Sequence, residues 1–260
     1  MSEQQAQAAL AKVPVVTLGF WIIKILATTL GETGGDTLSM TYELGYLASS
    51  AIFIVPLVGL VIAQVRSRRL HPFLYWATII ASTTAGTTIA DFATRSIGIG
   101  YTGGSLLLLG CVLVTLAAWR AATGSIAVES VHSRRVETFY WVTITFSQTL
   151  GTALGDWAAD DGGLGYLGGA ALFGSLLVLL VLLWRFTRIS RIWLFWAAFI
   201  LTRPLGATVG DFLDKPIREG GLNFSRPVAS AVLLAAIFAL ILLSQLRRPG
   251  PAAGHRAPRR

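Results

Sequence analysis

The chain has 260 residues, 54% of them hydrophobic and only 13% charged, with a formal net charge of +8 and a mean hydropathy of +0.66. Soluble domains carry about 25% charged residues, so long apolar runs joined by short basic loops mark a polytopic membrane protein whose first partner is the lipid bilayer. The basic residues sit in loops and at the C-terminus, where topology accounts for them and nucleic acid is not needed as a partner.

Cys111 is the one cysteine and falls in an apolar run, which excludes a disulfide framework. His71, His132 and His255 lie in loops or the tail, so no Cys/His metal cluster is present. Residues 1–13 read as a polar tail without a basic-then-apolar signal pattern, and the first span is expected to act as its own insertion signal.

A single transmembrane domain is expected over 14–246. The first span, near 14–35, carries WIIKILATTLGETGGD at 21–36, and the second, near 44–65, follows Gly45-Tyr46. The third, near 73–93, carries WATIIASTTAGTTIAD from Trp76 to Asp91, and the fourth, near 102–121, follows Gly100-Tyr101. The fifth, near 138–158, carries WVTITFSQTLGTALGD from Trp141 to Asp156, and the sixth, near 166–186, follows Gly165-Tyr166. The seventh, near 192–212, carries WAAFILTRPLGATVGD from Trp196 to Asp211, and the eighth, near 227–246, follows Asn223-Phe224. Residues 247–260 are Pro-, Gly- and Arg-rich and are expected to be a disordered basic tail.

The four odd-numbered segments align without gaps. An aromatic residue precedes each Trp (Phe20, Tyr75, Tyr140, Phe195) and each Trp-to-Asp interval is 15 residues. The fold expected is therefore all-α, with eight transmembrane helices in four two-helix repeats, near 14–65, 73–121, 138–186 and 192–246. Two spans per repeat make successive repeats parallel, around a pseudo-fourfold axis or in paired halves. The link between repeats two and three is longer than the others and suggests a seam there. Lys and Arg crowd the links after the even spans, as in Arg66, Arg68, Arg69, Arg134, Arg135, Arg188 and Arg191. That bias puts those links and both termini in the cytoplasm. Each Asp then lies about 22 Å further out than its Trp.

Four tandem two-helix repeats with a marked Trp resemble a bacterial family of uncharacterised membrane-anchored proteins built on a repeat of unknown function. The resemblance covers about 14–246, supplies the architecture and a bacterial inner-membrane location, and implies no activity. GETGGDT is also similar to the acidic E-x-G-D motif of a cation and manganese exporter family. Here Glu32 and Asp36 stand one residue further apart, and no Lys or Arg follows the Asp.

Gly31, Gly35, Gly86, Gly151, Gly155, Gly206 and Gly210 form small-x-x-x-small pairs expected to serve helix packing. Positions 7, 11 and 15 after each Trp share one helix face. They read Thr28–Glu32–Asp36, Thr83–Thr87–Asp91, Gln148–Thr152–Asp156 and Arg203–Ala207–Asp211, with Thr29, Thr84 and Thr149 alongside. Ionisable groups in a span face a bundle interior or a water-filled path. A carboxylate at a helix C-terminus has the wrong sign for the dipole and calls for a compensating cation. The substrate or metal ligands expected are therefore Glu32, Asp36, Asp91, Asp156 and Asp211, with Thr28, Thr29, Thr84 and Gln148 lining the route. Oxygen donors favour hard ions such as Mn²⁺ or Mg²⁺. Lys24 and Arg203 are expected to pair with acids or to couple transport to protons.

The function expected is transport of a small hard cation, with no cofactor. Alternatives are a scaffold or sensor with structural aspartates, and an organic-anion carrier using Lys24 and Arg203. Enzymatic activity is not expected, since the chain shows no nucleophile–base pair or nucleotide loop.

Overall fold

The structure is a computed structural model, and it describes residues 12–246. The tail expected over 247–260 and residues 1–11 lie outside the described residues. Within them the secondary structure is helical. Eight long α-helices follow one another: α1 (Leu18–Asp36), α2 (Gly45–Arg66), α3 (Pro72–Asp91), α4 (Gly100–Thr123), α5 (Arg134–Asp156), α6 (Gly165–Phe186), α7 (Arg191–Asp214) and α8 (Arg226–Leu246). Five of them, α2, α4, α6, α7 and α8, are long and apolar enough to cross a membrane.

Local chemistry sets the helix starts. The Thr17 hydroxyl accepts from the Phe20 amide and the Ser133 hydroxyl from the Val136 amide, satisfying amides that have no partner inside the helix. Pro72 opens α3, where a missing N–H costs nothing. The recurring glycine before each even helix has a backbone reason. Gly45, Gly100 and Gly165 all have φ between +63° and +72°, a region open to glycine. In the fourth repeat Asn223 takes φ +57°, and asparagine tolerates that region better than most residues.

The odd-numbered helices do not stop cleanly at their aspartates. Asp36, Asp91 and Asp156 are each followed by a five-residue π-helical turn, at Thr37–Thr41, Phe92–Ser96 and Trp157–Asp161. In the fourth repeat α7 instead continues to Asp214. The short polar link expected after each Asp is thus mostly wound backbone.

Helix neighbours follow a single rule. The odd helices pack in cyclic order, α1 on α3, α3 on α5, α5 on α7 and α7 on α1. Each even helix packs on the odd helix of the next repeat: α2 on α3, α4 on α5, α6 on α7, and α8 back on α1. The aromatic positions obey the same rule. Phe20 packs on Trp76 at 5.3 Å between ring centroids, Tyr75 on Trp141 at 5.6 Å, Tyr140 on Trp196 at 6.2 Å and Phe195 on Trp21 at 5.7 Å. Such pairs add about 0.5–1.5 kcal/mol each beyond area burial, and together they form a collar closing one end of the bundle.

The even helices show apolar side chains to their surroundings, among them Val55, Leu106, Val181 and Val232. Such a surface suits lipid. The odd helices are largely buried, and roughly half of their buried residues are polar or charged.

The longer link between repeats two and three is not a seam, since α3 packs on α5 as the other odd helices pack on their neighbours. It folds over the aromatic end instead, with Ile126, Val128 and Val131 buried and the Ile126 carbonyl accepting from Trp196 Nε1 at 2.9 Å. Lys12, expected in a polar tail, is buried against it. Its amide donates to the Val131 carbonyl at 2.9 Å, and its ammonium meets Glu137 at 2.6 Å.

Candidate functional site

The four odd helices present one face inward at four-residue spacing. From the aromatic end its layers are Phe20, Tyr75, Tyr140 and Phe195; Lys24, Ile79, Ile144 and Phe199; Thr28, Thr83, Gln148 and Arg203; Glu32, Thr87, Thr152 and Ala207; and Asp36, Asp91, Asp156 and Asp211. Apart from Phe195, which is partly buried, all of these side chains are buried.

The glycines let these faces meet. A Cβ on Gly31 would lie 2.4 Å from Thr83, on Gly86 3.0 Å from the Gln148 backbone, on Gly151 2.1 Å from Arg203 and on Gly206 2.2 Å from Thr28. Each is the glycine ten residues after one Trp against the residue seven after the next repeat's Trp. One turn on, Gly35 meets Thr87, Gly155 meets Ala207 and Gly210 meets Glu32, all at 2.9 Å or less. Close backbone approach of this kind drives helix association in lipid, where the hydrophobic effect does not.

The centre of the site is Arg203. It is fully buried, and both terminal nitrogens donate to one Glu32 oxygen at 2.9 Å. The same side chain donates to the Thr87 hydroxyl at 2.6 Å and to the Thr152 hydroxyl. One residue of each odd helix is therefore tied into a single network. Lys24, one turn nearer the collar, is also fully buried. Its ammonium lies 4.3 Å from the centre of the Phe199 ring and 3.5 Å from the Gln148 side-chain oxygen, and it joins none of the ion pairs among the described residues. Arg203 therefore lies against an acid, whereas Lys24 lies against an aromatic ring and an amide oxygen.

The lining threonines differ in what they offer. Thr29 and Thr84 donate to carbonyls of their own helices, at 3.0 and 2.8 Å. Thr28 donates to Ile25 of its own helix and to the Thr202 carbonyl of α7. Gln148 keeps an unpartnered amide nitrogen.

The aspartates form two pairs, each bridged by one cation. Arg95 holds its own repeat's Asp91 at 3.0 Å and the next repeat's Asp156 at 3.2 Å. Lys215 holds its own repeat's Asp211 at 3.0 Å and, across the ring closure, Asp36 at 2.6 Å. Arg226 of α8 approaches Asp214 at 3.4 Å and Asp36 at 3.9 Å. These cations lie beyond the helix C-terminal ends, where positive charge offsets the dipole. Sequence reasoning missed all three. Arg95 and Lys215 stand four residues after their aspartates, so one more step of the same spacing finds them. Lys215 lies just beyond α7. Burial alone would lower the pKa of its ammonium, but Asp211, Asp36 and Asp214 outweigh that and hold it well above the usual lysine range.

Glu32, Asp36 and Asp211 each place a carboxylate oxygen within 4.8 Å of the others, all buried. Asp91 and Asp156, also expected as ligands, are not part of that group and lie at the Arg95 bridge. Above the aspartates a cavity of about 600 Å³ is lined by Met40, Arg95, Asp160 and Lys215, the four equivalents one step further along the column, and by Tyr166, Glu219 and Arg226 among others. A second cavity of about 350 Å³ lies between α1 and α8 near Thr17 and Leu243. Neither cavity includes Lys24 or Arg203.

No curated protein and no solved structure matches this chain. A family model described as a Repeat of Unknown Function, DUF347, matches four times, over residues 19–70, 74–125, 139–190 and 194–249. These boundaries coincide with the four two-helix units, and the chain belongs to the DUF347 repeat family.

Proposed function

We propose that the chain is a multi-pass protein of the bacterial inner membrane that moves a small hard cation, Mn²⁺ or Mg²⁺ foremost, with protons as the coupling ion. In this reading all eight helices span the bilayer, the four repeats surround one axis, and both termini are cytoplasmic. The observation that carries it is the convergence of Glu32, Asp36 and Asp211 oxygens within 4.8 Å in the buried core. Carboxylates and hydroxyls are the donors hard divalent ions prefer. Arg203 pairs with Glu32 and Lys215 with Asp36 and Asp211, and an entering cation takes over the partners of Lys215. Charge is then exchanged and not added, which lowers the cost of bringing an ion into a low-dielectric core.

The test is flux into proteoliposomes across Mn²⁺, Mg²⁺, Ca²⁺ and Na⁺, with wild type beside Glu32→Gln and Asp211→Asn. Selective flux that the folded variants lose supports the reading, and a folded wild type that moves none of these ions sinks it.

One observation favours a second reading, a scaffold or sensor that transports nothing: every aspartate of the ring has a tethered cationic partner. That reading expects no flux, and it expects that replacing an aspartate changes stability alone. The organic-anion alternative draws no support from the two cavities, which lie away from Lys24 and Arg203.

A further inference from the structure

The two bridging cations are equivalent in position but not in chemistry. Arg95 and Lys215 each stand four residues after an aspartate and each joins it to the next repeat's aspartate. An arginine presents a planar fork suited to gripping two carboxylates, whereas a lysine ammonium is a compact charge on a flexible stem. Lys215 lies where the third carboxylate, Glu32, comes within 4.8 Å of Asp36 and Asp211. Its own ammonium is thus a stand-in for a small cation, sitting 2.6 and 3.0 Å from two of those three groups. The second Asp36 oxygen, Oδ1, is buried with no hydrogen-bond partner. That free acceptor adds a donor position which the ammonium does not use.

The surroundings allow the side chain to leave while the backbone stays. The Lys215 amide donates to the Asp211 carbonyl at 2.8 Å and its carbonyl accepts from the Asn223 amide at 2.9 Å. On its open side the ammonium meets the Met40 sulfur at 3.8 Å, and a thioether side chain adapts readily to new neighbours. Lys215 also lines the 600 Å³ cavity, whose wall includes the carboxylates of Asp160 and Glu219. A displaced ammonium therefore finds both room and acidic partners.

Resting on the cation reading above, we propose that Lys215 is a tethered counter-ion. It holds the Glu32–Asp36–Asp211 position in the absence of substrate and swings into the outer cavity when a divalent cation enters. Arg95 keeps the opposite pair, Asp91 and Asp156, permanently closed. The protein then has one exchangeable site per chain despite its four repeats.

Equilibrium Mn²⁺ binding to the full chain in detergent tests this, with Lys215→Gln, Lys215→Arg and Lys215→Gln/Asp36→Asn beside wild type. Removing the competing charge is expected to tighten Mn²⁺ binding on the order of tenfold or more, the usual size of a coupling between two ligands of one site. Lys215→Arg is expected to weaken it, and Asp36→Asn to erase the gain. Because Lys215→Gln leaves buried carboxylates without their partner, its melting temperature is measured with and without Mn²⁺. The ion is expected to restore the loss in Lys215→Gln and not in the double variant. If wild type binds Mn²⁺ and Lys215→Gln binds it no more tightly, the tethered counter-ion is overturned while the cation reading stands. If no variant binds or moves any ion, the cation reading falls and this inference with it.

Discussion

Replacing Gly206 by alanine tests the ring at its closure. The new Cβ would lie 2.2 Å from the Thr28 hydroxyl and 2.8 Å from the Thr28 backbone carbonyl carbon, where ordinary contact begins at 3.4 Å. The hydroxyl can rotate away, at the cost of its 3.1 Å bond to the Thr202 carbonyl, but the backbone carbon cannot. The Thr28 Cβ, 2.6 Å away, cannot move either, so helices α1 and α7 must separate by about 0.8 Å, enough to forfeit a quarter or more of the dispersion energy along their contact. Overpacking of this kind costs about 1–3 kcal/mol, against a gain of about 1 kcal/mol from alanine's helix propensity. Gly174, in α6, supplies the control, since a Cβ there meets nothing within 4 Å. Gly174→Ala keeps the propensity gain alone. In a thermal unfolding assay in detergent, Gly206→Ala, with a net loss of about 0–2 kcal/mol, is expected to melt up to roughly 8 °C below wild type at about 2–4 °C per kcal/mol, and Gly174→Ala above it. A Gly206→Ala protein as stable as Gly174→Ala would show that α1 and α7 do not meet at these residues, and the cyclic order would be wrong.

Arg203→Leu should destabilise by about 3–5 kcal/mol, because it strands the Glu32 carboxylate in the core; Glu32→Leu/Arg203→Leu should recover much of the loss in the same assay, and a double variant no better than the single would show that the pair is not the main debt. Lys24→Met should raise the melting temperature, since it removes a buried ammonium that joins no ion pair among the described residues; a fall would mean that the charge has a partner. Lys12→Ala breaks the 2.6 Å contact with Glu137 and strands a buried carboxylate, so the melting temperature should fall, and adding Glu137→Gln should recover part of the loss. In a Cys111→Ser background, Asp161→Cys should react with a membrane-impermeant maleimide in intact cells while Ser67→Cys reacts only after lysis, and the reverse pattern would invert the orientation.

The repeat and its four-residue column were legible because both are carried by spacing, which survives even where residue types change. Trp21 and its three equivalents, the glycines ten residues on and the terminal aspartates stand out from sequence alone. The partners were not legible, because spacing along one helix says nothing about which helix lies opposite. That Gly206 faces Thr28, and that Arg203 reaches Glu32, Thr87 and Thr152, follows from ring closure, a relation between residues 171 positions apart in the case of Arg203 and Glu32. The bridging cations were readable in part. Arg95 and Lys215 continue the column beyond the aspartates, but the π-helical turns after Asp91 and its counterparts leave no mark that a helical pattern would show. Arg226 had no such signal, since its role depends on α8 folding back onto α1. The longer link misled for a physical reason: extra residues between repeats look like a hinge, whereas Ile126, Val128 and Val131 are apolar enough to be drawn over the aromatic end.

The offset between the repeats has a consequence for how the molecule is made. No repeat shelters its own odd helix, because α2 covers α3, α4 covers α5 and α6 covers α7. Within this chain α1 is made before α8, so its outer flank stays uncovered until the fourth repeat is complete. Until then Glu32 and Asp36 lack Arg203 and Lys215, the cations that pair with them. A chain cut short before the fourth repeat leaves α1 without α7 and α8, so the ring depends on its first and fourth repeats meeting.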